Sequence, residues 1–139
     1  EALGREREAI IRAQAEALSQ LSMPFIPITE RVAVMPLIGD MDGRRVERIR
    51  ETLVQWLADQ RASAVIIDLT GVENVAAAAV VQLVRMVQAV ALLGTELILT
   101  GIRGAVARRL VELGADFRGA AMRQTLQEGI DLAMRRRGA

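Results

Sequence analysis

The sequence predicts an α/β fold: a mixed, mostly parallel sheet of four to five strands with helices, preceded by an N-terminal helix. Three observations point there. Two continuous apolar runs, "ASAVIIDLT" and "TELILTG", each end in polar residues, as strands buried on both faces do. Segments of helical length, with apolar residues three and four apart, separate them. Strands that alternate with such helices need crossover connections, and crossovers build parallel sheets.

The elements follow in order. Residues 1–21, "EALGREREAIIRAQAEALSQL", read as a helix in which Leu3, Ile10 and Ala17 recur every seven residues beside Ile11 and Leu18. The expectation is a dimerising linker helix that continues from a preceding sensor domain, with the main domain over 22–139. Pro24 and Pro27 break it. Two short strands are expected over about 24–29 and 31–38, an antiparallel edge hairpin turned by "TER". Asp40, Asp42 and Gly43 form a loop and cap, and a helix over 43–60 turns Val46, Ile49, Leu53 and Leu57 inward. The next strand ends near Thr70. A long helix over 74–93 then starts with Asn74 as its N-cap and ends at Gly94. After "TELILTG" come a short helix closed by Gly114 and a last helix over 122–137 with Leu126, Ile130 and Met134 as its apolar stripe.

Composition removes most chemistry. The 139 residues are 52% apolar, with only Trp56, Phe25 and Phe117 as aromatics, so Ala, Val, Leu, Ile and Met must build the core. Stacking platforms for single-stranded nucleic acid are nearly absent. All 18 basic residues are arginine, against 17 acidic ones, for a net charge of +1. There is no histidine, cysteine, lysine or tyrosine, which removes the usual general bases, thiol nucleophiles and soft metal ligands. The expected domain is therefore not an enzyme and carries no cofactor or metal. The most apolar run, residues 75–93, is interrupted by Gln82, Arg85 and Gln88, whose spacing makes one polar stripe on a buried helix rather than a membrane span. A cytoplasmic setting is expected, with neither nucleic acid nor membrane as partner.

Motif searching is equally negative. No phosphate-binding glycine loop and no serine elbow occurs. Asp40 and Asp42 read as a capping turn rather than a cation site. The arginines of "MRRRGA" suit the C-terminal end of a helix dipole. What remains is the connection after Asp68, "DLTGVENVAAAAV", where a helix start could hold a phosphorylated hydroxyl. Ala76, Ala77, Ala78 and Ala79 offer no hydroxyl there.

The pattern as a whole resembles the STAS domain, the anti-sigma-factor antagonist fold, and within it the C-terminal half of RsbR-type stressosome proteins. "PFIPI", "VAVMPLIGDMD", "VIIDLTGV", "AVALLGTELILTGIR", "VELGADF" and "TLQEGIDLA" carry the resemblance. It implies a non-enzymatic signalling scaffold in stress and sigma-factor regulation. The implied partners are an RsbS-type STAS protein and an RsbT-type serine/threonine switch kinase, in a homodimer and a large hetero-oligomeric cytoplasmic particle. It also implies two phosphoacceptor threonines, at positions that here hold Ala77 and Arg109. The resemblance thus assigns a partner-binding and switch surface to Asp68, Thr70, Gly71, Asn74, Ala76, Ala77, Arg103, Arg108 and Arg109, without an acceptor at either family position. Thr70 and Thr100 keep hydroxyls near the strand ends. A second reading is a STAS module that binds a small ligand or nucleotide, or regulates a transporter, through the same helix start.

Overall fold

The computed structural model describes residues 25–136. The predicted linker helix lies outside the described residues, as does the end of the arginine tail. The chain runs β1 (Ile26–Pro27), β2 (Val32–Met41), α1 (Gly43–Gln60), β3 (Ala64–Val75), α2 (Ala77–Leu92), β4 (Glu96–Thr100), α3 (Gly104–Glu112), β5 (Ala120–Arg123) and α4 (Leu126–Arg136). The strands lie side by side in chain order, β1-β2-β3-β4-β5. β1 is antiparallel to β2, and every later pairing is parallel. Because the strands advance in one direction, crossovers of a single hand put α1, α2 and α3 on one face. The α/β class and the mixed sheet are as expected, with the full five strands.

Alternate residues of the strands serve two cores. Met35, Leu37, Val65, Ile67, Leu97 and Leu99 face α1, α2 and α3, and α1 contributes the predicted Val46, Ile49, Leu53 and Leu57, all buried. Full burial of each such side chain is worth about 1.5–3 kcal/mol. Val32, Val34, Ala64, Ile66 and Ile98 face the other way, where Leu132 and Ala133 of α4 cover them. Helix α1 begins at the expected cap: Asp42 Oδ1 accepts from the Arg45 amide at 2.8 Å. The hairpin turn is built by Thr29, whose Oγ1 accepts from the amides of Arg31 and Val32 at 3.2 and 3.1 Å.

Four expectations change. β2 continues through Asp40 to Met41, and β3 continues from Thr70 to Val75, because the two stay paired past their apolar runs. Pro36 has no N–H for the ladder, and the register slips between Pro36 and Ile38 and again between Gly39 and Asp40. At each slip β3 carries one extra residue, a bulge that Gly39 accommodates with φ +91°. Asn74 is therefore a strand residue and not the cap of α2. That helix starts at Ala77 with Ala76 as N-cap, and no side chain caps it. Finally, residues 120–123 are an edge strand and α4 starts only at Leu126. Ala, Met and Arg are good helix formers, so local propensity pointed the wrong way, and pairing with β4 overrode it.

Candidate functional site

Most of the residues singled out in the sequence fall into two places at the C-terminal ends of the strands. The first is built on β3 and β4. Asp68 and Thr100 are register partners on adjacent parallel strands, so their side chains share a face. Thr100 is fully buried and its Oγ1 donates to Asp68 Oδ1 at 2.8 Å. Thr70 Oγ1 donates to the same oxygen at 3.0 Å. Gly101 closes the group with φ +73°, and a β-carbon there would lie 2.8 Å from Asp68 Oδ1. Both threonine hydroxyls are thus committed to one carboxylate. Gly71 packs against Ile38 and the Leu37 carbonyl across the bulge, where a β-carbon would be crowded.

The second place is a cleft of about 460 Å3 where β2, β3, α2 and α3 meet. Asn74 Nδ2 donates to Asp40 Oδ1 at 2.8 Å on one wall. On the other, Arg109 of α3 donates from Nε to the Val75 carbonyl at 3.3 Å. Asp42, Glu73 and Ala76 complete the rim. Sequence reasoning missed Glu73 and the pairing of Asp40 with Asn74, since both depend on the bulged extension of β3. Arg45 Nη1 adds a bond to the Asp40 carbonyl at 2.8 Å. Among the described residues no group of three or more carboxylates, histidines or cysteines could hold a metal ion.

The alanines divide by role. Ala76, Ala77 and Ala78 are exposed at the start of α2, and Ala79 is fully buried. Ala78 also faces Gly43: a β-carbon on Gly43 would stand 2.8 Å from the Ala78 Cβ, so α1 and α2 approach closely only with small residues at both starts. Arg103 and Arg108 are exposed and lie outside the cleft lining, and neither makes a side-chain hydrogen bond among the described residues. Asp68 and Thr70 are likewise separate from Asn74, Ala76 and Arg109. The expected single surface is thus two adjoining sites plus two outlying arginines.

The model of the STAS domain matches residues 24–129. This chain belongs to the STAS domain family. It is 38% identical over 127 residues to the RsbT co-antagonist protein RsbRA of Bacillus subtilis, a match covering 91% of this chain and 46% of that protein. The chain thus spans about half the length of the curated relatives it matches. Among solved structures it is similar to a variant of RsbS from Moorella thermoacetica, with a TM-score of 0.72 and 27% identity over 84% of this chain and 98% of that one. A chain of a structure describing the molecular architecture of the stressosome, a signal integration and transduction hub, gives 0.67 and 26%, over 82% and 98%. The STAS fold expected from the sequence motifs is therefore the fold observed. No helix among the described residues is long and apolar enough to cross a membrane.

Proposed function

We propose that this STAS domain is a non-enzymatic scaffold of the RsbR type in bacterial stress signalling. It docks an RsbS-type STAS protein and an RsbT-type serine/threonine kinase within a cytoplasmic particle, as a homodimer that joins larger assemblies. Similarity to an RsbT co-antagonist and to a stressosome chain supports the class. The observation that carries the specific reading is the start of α2. Its exposed residues present methyl groups, no side chain caps it, and Arg109 occupies the neighbouring helix. Neither Ala77 nor Arg109 offers a hydroxyl to a serine/threonine kinase, so the domain binds without being switched by it at those positions.

Asp68, Thr70, Gly71, Asn74, Ala76, Ala77, Arg103, Arg108 and Arg109 are proposed as the partner-facing set. Asp40, Asp42 and Glu73 around the cleft weigh against a nucleotide phosphate there, because three carboxylates oppose the one guanidinium. The test has two arms. Co-purification from the native cell is expected to recover a short STAS partner and a kinase in a very large particle. Mass spectrometry after incubation with that kinase is expected to find the chain unmodified. Stoichiometric phosphate on Thr70 or Thr100 overturns the phospho-silent reading, and recovery of the chain alone overturns the scaffold.

A further inference from the structure

We propose that the outer edge of β5 and the groove beside α3 accept an extended, acidic segment of a partner protein, added to the sheet as another strand. β5 pairs with β4 alone among the described residues, so its other edge is open. An open edge offers unpaired N–H and C=O groups to any extended chain. Natural edges are commonly blunted by charge and short length, and β5 has four residues with Arg123 at its end. Those devices do not account for the apolar groove alongside.

That groove, of about 530 Å3, is lined by Ile102, Leu110, Val111, Phe117 and Met122. Met122 is the register partner of Leu99, so it points to the α3 side of the sheet. Val111 is 80% exposed and Met122 45% exposed. Two large apolar side chains on facing elements, beside a free strand edge, fit alternate side chains of an added strand.

Charge selects the occupant. Arg103 is the N-cap of α3, one turn before Ala107 and two turns before Leu110 and Val111 of the groove lining. Arg108 lies on the same helix, and Arg123 flanks the edge from the other face, its Nη1 donating to the Met122 carbonyl at 2.7 Å. Arg103 and Arg108 are exposed and have no hydrogen-bonded carboxylate among the described residues. The nearby Asp116 is already paired with Arg118 at 2.6 Å. A segment that carries carboxylates between apolar residues meets both features.

The test uses the 139-residue chain, 15N-labelled, and two acetylated peptides of equal length, one alternating valine with glutamate and one alternating valine with lysine. The expected result is amide shifts and slowed hydrogen exchange in residues 120–123, with shifts at Val111, from the glutamate peptide only. The double variant R103E/R123E is expected to weaken that peptide about tenfold and to favour the lysine peptide instead. V111E, at a solvent-facing position, is expected to fold normally by circular dichroism and to lose the shifts. Equal binding of both peptides, shifts that map to β1, or no shift at the highest concentration overturns the proposal. So does a dimer by sedimentation whose β5 amides are protected without peptide.

Discussion

Asn74 Nδ2 donates to Asp40 Oδ1 at 2.8 Å, tying the ends of β2 and β3 together beyond two bulges. The ladder is irregular there, so this side-chain bond replaces part of the register that the backbone loses. Both residues are exposed, and water competes for the same groups. Asn74→Ala is expected to cost about 0.5–1.5 kcal/mol in urea unfolding. In a double-mutant cycle Asp40→Ala should show coupling of the same order. Full additivity would mean that the bond does not hold the two ends together.

Thr100 presents the stronger polar contact. Its hydroxyl is fully buried and points at a carboxylate. Thr100→Val keeps the shape and removes the donor, and is expected to cost about 1–2 kcal/mol. Thr70→Val removes the exposed donor to the same oxygen and should cost less. A larger loss from Thr70 than from Thr100 would contradict the geometry.

The inward faces of the helices were readable because burial follows the 3.6-residue period. Val46, Ile49, Leu53 and Leu57 show it without ambiguity. The hairpin followed from the "TER" turn between two short strands, and the class of sheet from apolar strands that alternate with helices. The candidate site was less legible. "TGVEN" has the composition of a turn, and only pairing with Gly39 and Asp40 across the bulges makes it strand. "AAMR" has no β-branched residue, so nothing local marked it as β5. Long-range pairing decided both, and sequence periodicity carries no signal for it.

Asp116 and Arg118 perturb one another's ionisation. Hydrogen bonds from the side chain and then the backbone of Arg118 hold the Asp116 carboxyl below its usual value of 3.8. A carboxylate whose folded value is depressed contributes stability above the unfolded value, and loses it as pH falls through the folded one. The window therefore lies below 3.8. The pair is solvent-exposed, so salt should screen most of the effect. NMR titration of Asp116 is expected to give a midpoint below 3.8, and Arg118→Gln should return it towards that value. An unchanged midpoint in the variant would assign the shift to another cause.

Gly129 gives a prediction whose sign is unusual. Replacing a glycine inside a helix by alanine ordinarily stabilises by about 0.5–1 kcal/mol, since glycine loses more freedom on folding. Here α4 crosses β4 so closely that a β-carbon on Gly129 would stand 2.5 Å from Thr100 Cγ2. Ile66 and Ile98 close the space behind, at 3.4 and 3.5 Å. Gly129→Ala is therefore expected to destabilise, by about 1–3 kcal/mol, as overpacking does. The obstructing atom belongs to Thr100, and Thr100→Ser deletes it while keeping the hydroxyl that donates to Asp68. In the Thr100→Ser background Gly129→Ala should cost much less, and the helix propensity gain should begin to show. Thermal unfolding of the four chains checks this. If Gly129→Ala is equally costly in both backgrounds, the Thr100 methyl group does not set the spacing between α4 and the sheet.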